Sequence, residues 1–333
     1  MTRRGGNIKI ISTMSDNNLE SQLNIGQKIG LELLWGFSRV MNYSPRWFRY
    51  YIFKPFLYAI VRLLRYRRKV ILKNLALCFP EKSTKEQRRI MRRFYGTLAE
   101  VIVDTISLAG ANPKRNGDIV TWSNGKEHLE RTAGKDWIAL AAHHGCWEYD
   151  LLWNWEDKKS TFMGVYHPLR SDVFECFYRR LRRLSPNIVQ VPMRDTVRYY
   201  LKNRGKGNNI TLGLISDQSP LLSVDTEWYD FFGQPTAFIE GGAHIATKFS
   251  LPVYFVHVRR RAAGKYECRF DELYNATDKV EPGEITRRYA KALEAMIREC
   301  PELWLWSHNR WRYTPERQMA LREKAKKLQE AKK

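Results

Sequence analysis

From about residue 136 onward, short apolar runs alternate with segments of helical pattern, and this alternation limits the fold more than any other feature. The apolar runs predict strands at 137–142, 162–165, 188–191, 210–215 and 252–258, and an edge strand at 266–270. The other segments predict helices at 147–155, 172–184, 194–203, 239–249 and 284–299. Alternation of this kind is typical of a parallel sheet with helices on its faces. We therefore predict an α/β fold: a single domain with a largely parallel central sheet flanked by helices.

The N-terminal part lacks this alternating pattern, and residues 31–64 are the most apolar stretch of the chain. A Ser-Pro step and several basic residues interrupt it, so no run of about 20 apolar residues predicts a membrane-spanning helix. A cationic stripe recurs there at helical spacing: Lys54, Tyr58, Arg62, Arg65 and Lys69. A helix with such a stripe beside apolar neighbours suits an anionic membrane surface. The alternative is an ordinary surface helix of the globular domain.

Charge and aromatic content restrict the class of partner. Lys and Arg total 57 against 35 Asp and Glu, which gives a net charge of +22. Such an excess indicates a polyanionic partner: nucleic acid, anionic lipid headgroups or a phosphorylated substrate. The 11 tryptophans fit a bilayer interface, where indole rings are enriched, but they fit single-stranded nucleic acid as well.

Cysteine spacing and the N-terminus carry further expectations. The five cysteines are scattered and lack a CxxC pair, so we interpret them as reduced thiols in a cytoplasmic compartment. No Cys/His spacing predicts a zinc site and no glycine-rich phosphate loop is present, so we predict neither a metal nor a cofactor. Residues 1–13 lack the apolar run of a cleavable signal, and Met14 is an alternative start.

One short motif, Ala-Ala-His-His-Gly-Cys-Trp-Glu, follows the first of these predicted strands and precedes a predicted helix. Ligands of open parallel sheets gather at this carboxyl edge. With a glycine turn between them, Glu148 could bond one ring nitrogen of His143 and leave the other free to take a proton from a substrate hydroxyl. His144 is the competing base and Asp150 the competing carboxylate. The alternative is that His143 and His144 are structural residues whose ring nitrogens form local hydrogen bonds at the end of the strand.

Further blocks of sequence form an ordered set around this motif. They are YRRKV at 66–70 with NL at 74–75 and FPEKS at 79–83, VYHPLR at 165–170, SDQSP at 216–220 with FFG at 231–233, and WLWSHNRW at 304–311. Together with the His143 motif, which is similar to an H-x4-D/E motif, these blocks resemble the lipid A biosynthesis (late) acyltransferase family over roughly residues 30–313. His167 and Asn309 stand where the family commonly has a basic residue, which could shift acceptor preference.

The resemblance implies an enzyme at the cytoplasmic face of the cell inner membrane. It would transfer a fatty acyl chain from acyl carrier protein, or another acyl thioester, to a hydroxyl of a lipid A precursor in lipopolysaccharide biosynthesis. It also implies that His143 is the catalytic base and that Glu148 is its partner. The substrate-binding pocket would contain His167, Arg170, Asp217 and Gln218. An Asp that follows a strand also suits a turn or a helix cap, and that alternative stays open.

Domain boundaries follow from these features. We predict a disordered N-terminus at 1–25, a membrane-associating helical segment at 26–72, an acyltransferase domain at 73–314 and a basic C-terminal tail at 315–333. Three alternatives for function remain: an acyltransferase with another lipid acceptor (an aminolipid or a lysophospholipid), a basic nucleic-acid-binding protein, and an inactive membrane scaffold. The ordered blocks and the apolar stretch argue against nucleic acid. The expected partners are therefore the carrier protein, the lipid acceptor and an anionic membrane surface.

Overall fold

The computed structural model describes residues 16–223 and 226–330, and its centre is a seven-stranded sheet. The strands of the sheet are β1 Val120–Trp122, β2 Trp137–Ala141, β3 Thr161–Tyr166, β4 Ile188–Pro192, β5 Ile210–Ile215, β8 Val253–Ala262 and β9 Lys265–Tyr274. A separate hairpin contains β6 Tyr229–Phe231 and β7 Gln234–Thr236. All residues of β2 are buried, as expected for a parallel strand that is covered on both faces. All five predicted central strands form.

The sheet order is β1-β9-β8-β2-β5-β3-β4, and the strands from β8 to β4 run parallel to one another. The prediction of an α/β fold with a largely parallel sheet is therefore confirmed. β9 pairs antiparallel with β8 through a turn at Gly264, whose φ of 60° suits glycine. The strand predicted at 266–270 forms within β9, but its predicted position at the edge was wrong, because the three-residue β1, too short to recognise in the sequence, lies outside β9.

Helices surround the sheet. They are α1 Asp16–Gln22, α2 Ile25–Tyr43, α3 Lys54–Leu63, α4 Arg68–Cys78, α5 Thr84–Ile106, α6 Pro113–Asn116, α7 Gly125–Thr132, α8 Trp153–Glu156, α9 Asp172–Leu181, α10 Thr196–Asn203, α11 Gly241–Phe249, α12 Pro282–Glu299 and α13 Pro315–Glu330. A π-helical turn, Phe48–Phe53, leads into α3. The helix predicted at 147–155 begins instead as the 3₁₀ helix Trp147–Leu152 and becomes α-helical only in α8. This difference matters for Glu148, as described below.

The predicted disordered N-terminus is helical where the structure describes it, and its first 15 residues lie outside the described residues. α1 packs on α9, where Glu20 forms a salt bridge with Arg180. Leu23 is buried, and Asn24 caps α2 by accepting a hydrogen bond from the Gln27 backbone. Disorder was thus the wrong prediction for residues 16–25, because tertiary contacts stabilise a segment whose polar composition gave no helical signal.

The cationic stripe predicted along one helix does not form. Arg65 and Arg67 take left-handed backbone, at φ 49° and 46°, and separate α3 from α4, so Lys69 lies on a different helix from Arg62. Lys54 instead pairs with the buried carboxylate of Glu100 on α5. Within the described residues, no helix is both long enough and apolar enough to cross a membrane.

The boundary predicted at residue 72 falls inside α4. Ile71 and Leu75, one turn apart on α4, are fully buried in the same apolar core as the strands of the sheet. α2, α3 and α4 also pack on α5. The N-terminal helices and the sheet are therefore one packed unit, in which α5 connects the two parts.

Candidate active site

His143 lies in the loop after β2, and Asp217 lies in the loop after β5. These two strands are hydrogen-bonded neighbours in register up to Ala141 and Ile215, so the residues just beyond their carboxyl ends lie side by side. His143 Nδ1 is 2.7 Å from Asp217 Oδ1, and the His143 backbone N–H donates to Asp217 Oδ2 at 3.1 Å. The order of strands thus builds a His–Asp pair from two distant segments of the chain.

The Asp217 carboxylate is 2% exposed, and Oδ2 also accepts a hydrogen bond from Trp304 Nε1 at 2.8 Å. Burial raises the pKa of Asp217, but the adjacent His143 and the hydrogen bonds from His143 and Trp304 outweigh burial, so its pKa lies below its ordinary value. An ionised carboxylate at Nδ1 favours the Nδ1–H tautomer and leaves the Nε2 lone pair free. The His143–Asp217 pair can therefore accept a proton at Nε2 of His143.

The predicted hydrogen bond between Glu148 and His143 was wrong. The Glu148 carboxylate, in the first turn of the 3₁₀ helix, accepts two hydrogen bonds from Arg182, at 2.8 Å from Nε and 2.6 Å from Nη2. Arg182 is the C-cap residue of α9, so this buried ion pair joins the loop after β2 to a neighbouring helix. The carboxylate that contacts the imidazole comes from Asp217, for which the sequence had suggested a role in substrate binding, or in a turn or helix cap.

Residues near the C-terminus hold the His143 loop in place. The Gly145 backbone N–H donates to Leu303 O at 2.9 Å, and the Leu305 backbone N–H donates to His143 O at 3.0 Å. Gly145 has a φ of 63°, and a Cβ at this position would lie 2.6 Å from the Tyr266 ring. Glycine is therefore required at this turn, and the main chain of His143 is fixed on both sides.

The two competing residues of the motif are not available as a charged base or acid. His144 is fully buried, and burial lowers its pKa to about 3, so it is neutral near pH 7. Burial, followed by the nearby Glu148 carboxylate, raises the pKa of Asp150 well above its ordinary value. His143, in contrast, has a side chain that is 18% exposed. It is the histidine of the motif that a substrate can reach.

Two side chains lie next to the imidazole of His143: the indole of Trp147 and the amide of Gln218. The Trp147 ring meets the His143 ring edge-on, with 4.8 Å between ring centroids. The Gln218 side-chain nitrogen is 3.3 Å from His143 Nε2 and 3.4 Å from Nδ1. Gln218 therefore lies next to the atom that would accept a proton from a substrate.

His167 and Arg170, both predicted as substrate-binding residues, are exposed in the loop that follows β3. β5 separates β3 from β2 in the sheet, so this loop begins about 10 Å from the loop of His143, two strand spacings away. The His167 Nδ1 atom is 3.0 Å from Pro168 O. Both side chains thus lie on the carboxyl edge that also holds the His143–Asp217 pair.

Comparison with known proteins shows the family of this chain. The family model described as bacterial lipid A biosynthesis acyltransferase matches residues 19–313. The chain belongs to this family. Among its relatives, a lipid A biosynthesis lauroyltransferase from Escherichia coli (strain K12) is 24% identical over 267 residues, which cover 77% of this chain and 82% of the relative. Lipid A biosynthesis acyltransferase 2 from Shigella flexneri is 24% identical over 252 residues, which cover 74% of this chain and 77% of the relative.

A solved structure, the 1-acyl-sn-glycerophosphate (LPA) acyltransferase PlsC from Thermotoga maritima, aligns with 84% of this chain and 99% of its own. Its sequence identity is 13% and its TM-score 0.33, a likeness too loose to support an argument. Membership of the lipid A acyltransferase family, rather than this likeness, makes the chain an acyl-transferring enzyme. The family match also includes α2 to α4, which agrees with their packing against the sheet domain.

The partnership of Asp217 with His143 was missed in this lipid A family acyltransferase, as was the hydrogen bond from Trp304. One signal was present: Asp217, like His143, follows a predicted apolar strand almost directly, so both had to lie on the same edge of a parallel sheet. The tryptophans of the last block, Trp304, Trp306 and Trp311, are buried. Only the structure adds that the Trp304 indole also binds a carboxylate.

The ion pair of Glu148 gives a prediction about stability. Glu148→Gln should lower the free energy of unfolding by about 3 kcal/mol, because it leaves the Arg182 charge without its carboxylate in a mostly buried site. Turnover of the folded enzyme at a permissive temperature should fall far less than the 10²–10⁴ expected of a general base. Thermal unfolding and kcat, measured on the same preparation, test both statements.

The matched control is Glu299→Gln, since Glu299 also takes two hydrogen bonds from one arginine, Arg259, but in a half-exposed pair. Its loss should cost under about 1 kcal/mol. An unchanged unfolding temperature for Glu148→Gln together with a thousandfold lower kcat would place Glu148 in the reaction after all.

Proposed function

We propose that this acyltransferase moves a fatty acyl group from acyl carrier protein, or another acyl thioester, to a hydroxyl of a lipid A precursor. His143 Nε2 takes the hydroxyl proton while the hydroxyl oxygen attacks the thioester carbonyl. The carbon–sulfur bond then breaks, the proton passes to the leaving thiolate, and an ester and a free thiol are released. The observation that carries the proposal is the 2.7 Å contact between His143 Nδ1 and Asp217 Oδ1, on a histidine whose side chain is 18% exposed.

In this mechanism Asp217 holds the tautomer of His143 and stabilises the imidazolium that forms. Such a pair makes a separate Ser or Cys nucleophile unnecessary, because the acceptor hydroxyl attacks directly. Gln218, at 3.3 Å from Nε2, is placed to contact the acceptor oxygen or the thioester. Glu148 contributes by stabilising the fold, since its carboxylate accepts two hydrogen bonds from Arg182.

We assign Arg170 and His167 to acceptor binding. A lipid A precursor carries phosphate, and the planar guanidinium of Arg170 can bind phosphate with two parallel hydrogen bonds. The exposed position of Arg170 on the carboxyl edge supports this role, as does the net charge of +22. A histidine stands at position 167, where the family commonly has a basic residue, so Arg170 is the main candidate for the phosphate contact.

The proposed location is the cytoplasmic face of the inner membrane, and exposed apolar side chains support it. One group lies on α2 at intervals of three or four residues: Ile25, Ile29, Leu33, Phe37 and Val40. A second group lies on the π-helical turn, on α3 and just after it: Tyr51, Ile52, Phe56, Ile60, Leu63 and Leu64. We call these two groups the apolar face. Such a face, with Arg62, Arg65 and Lys69 exposed nearby, suits insertion among anionic headgroups.

Membrane binding should depend on the apolar face. Leu63 and Leu64 are 80% and 74% exposed, so replacing both by serine should remove little folding energy. If both side chains enter the bilayer, the double replacement should weaken vesicle binding by about 3 kcal/mol, or roughly a hundredfold. Sedimentation with vesicles that contain anionic lipid measures this change.

The control is Met319→Ser, which removes a 54% exposed apolar side chain from α13, outside the apolar face. It should leave sedimentation unchanged. Detergent should release the wild-type protein from washed membranes more readily than salt does. Complete release by high salt, or equal binding of the Leu63→Ser/Leu64→Ser variant, would contradict insertion of the apolar face.

The proposed reaction is tested with purified enzyme, an acyl carrier protein thioester and a lipid A precursor, with product masses read by mass spectrometry. The expected product is heavier by one acyl chain and carries a new ester. Mass spectra of lipid A from cells with and without the gene should differ by the same acyl group. Transfer to a lysophospholipid or an aminolipid but not to the lipid A precursor would replace the proposed acceptor.

A further inference from the structure

Arg310 is a buried cation whose hydrogen-bonding capacity is largely unused. The residue is 3% exposed, and within the part of the chain that the structure describes its Nε and Nη2 atoms have no hydrogen-bond partner. Its guanidinium carbon lies 4.4 Å from the Phe238 ring centroid and 5.9 Å from that of Phe231. The two aromatic faces compensate only part of the cost of burying a charge. A cation in such a site needs another source of stabilisation.

Asp217 is the buried carboxylate whose charge acts most strongly on this cation. Burial lowers the pKa of Arg310 to about 10, and the Asp217 carboxylate is the largest influence that raises it again. Two contacts tie the residues together: Ser219, two residues after Asp217, donates from Oγ to Arg310 O at 2.6 Å, and Phe231 packs on the Trp304 ring that binds Asp217. Arg310 thus belongs to the same buried cluster as Trp304 and Asp217.

Four other titratable groups close to Asp217 or Arg310 are uncharged near pH 7. Burial lowers the pKa of His144 to about 3 and that of His308 to about 4, so both are neutral. Burial raises the pKa of Tyr289 and of Cys78 well above neutral, so both stay protonated. Among these neighbours, Arg310 is the fixed charge that acts on the pair.

We infer that Arg310 is a positioning residue that acts through Asp217: its buried positive charge keeps the carboxylate ionised and limits how strongly the His143–Asp217 pair holds an extra proton. The inference rests on the proposed role of His143 as base. Without Arg310 the negative charge of Asp217 is uncompensated, so the pair binds its proton at higher pH, whichever member carries it. A base that is already protonated cannot accept the hydroxyl proton, so the enzyme loses activity on the acid side first.

The experiment compares Arg310→Met with Arg310→Lys. We expect the acid limb of the pH profile of kcat/KM to move up by at least about one pH unit in Arg310→Met, with roughly tenfold lower activity on that limb. Arg310→Lys keeps the charge and should keep the limb near its wild-type position. The matched control is Arg298→Met, which removes a guanidinium that lies 4.5 Å from the neighbouring Phe232 ring and is paired with Glu294, and its profile should not move.

A second measurement does not depend on activity. Nuclear magnetic resonance of selectively labelled histidine follows proton uptake by His143 directly. The pH at which His143 takes up this proton should be higher in Arg310→Met than in the wild type. An unmoved limb and an unmoved titration would overturn the inference, whereas absence of acyl transfer by the wild type would overturn the proposed function instead. If Arg310→Met does not fold, the double variant Asp217→Asn/Arg310→Met distinguishes a loss of charge pairing from a loss of packing. Recovery of folding there supports the charge pairing, and failure to fold means that Arg310 serves packing alone.

Discussion

His143→Ala should lower kcat for acyl transfer by about 10²–10⁴, the range that a general base contributes. The substitution removes Nε2, the atom to which the acceptor hydroxyl would pass its proton. Folding should be nearly unaffected, because the side chain is partly exposed and Asp217 keeps the hydrogen bonds from the His143 backbone and from Trp304. Steady-state kinetics and thermal unfolding of the same preparation measure the two effects separately.

Two other histidines serve as controls for His143. His144→Ala should destabilise the protein by about 2–4 kcal/mol, because it empties a fully buried site, yet the folded enzyme should turn over at nearly the wild-type rate. His167→Ala should raise the apparent KM for the acceptor more than it lowers kcat, since this exposed side chain is assigned to binding. A larger loss of kcat in His144→Ala than in His143→Ala would overturn the assignment of the base.

The sheet could be predicted because its strands are apolar along their whole length and are separated by helical patterns. The pattern that identifies β2 and β5 depends only on local residues, so both strands and the loops after them were correctly located. The order of strands is different: β5 enters between β2 and β3, and nothing in the local pattern specifies that choice. The contact between His143 and Asp217 depends on that order, and this is why sequence placed Asp217 on the right edge of the sheet but not against the imidazole.

For Glu148, in contrast, local spacing predicted a contact with His143 that the structure does not contain. A spacing of five residues with a glycine between them makes a contact with His143 feasible, but feasibility does not account for competing partners. Arg182, 34 residues further along, supplies two charge-assisted hydrogen bonds that the imidazole cannot match. The cationic stripe failed in part for the same reason, since Lys54 pairs with a buried carboxylate from α5, and in part because left-handed backbone at Arg65 and Arg67 divides the helix. Long-range ion pairs change where charged side chains lie, and local periodicity carries no information about them.

Asp217→Asn should lower kcat by roughly 10³–10⁴ while preserving the shape of the site. The side-chain amide introduced at position 217 can donate to Nδ1, which would place the imidazole proton on Nε2 and remove the lone pair that accepts the hydroxyl proton. A change of tautomer, and not a loss of volume, would then cause the effect. Trp304→Phe is the graded control, because it removes one hydrogen bond to Asp217 Oδ2 and leaves the carboxylate against Nδ1. Its kcat should fall much less.

The same substitution has a signature in the pH dependence of stability. The pKa of Asp217 is depressed in the folded protein, so its ionised form contributes stability that is fully present above the ordinary Asp range and is lost as pH falls through the folded pKa. The wild type should therefore lose unfolding free energy between about pH 4 and lower values more steeply than Asp217→Asn. Equal acid sensitivity of the two proteins would mean that Asp217 is not held as a carboxylate. A kcat near that of wild type for Asp217→Asn would remove the His–Asp pair from the mechanism, because the base would then not depend on the group that fixes its tautomer.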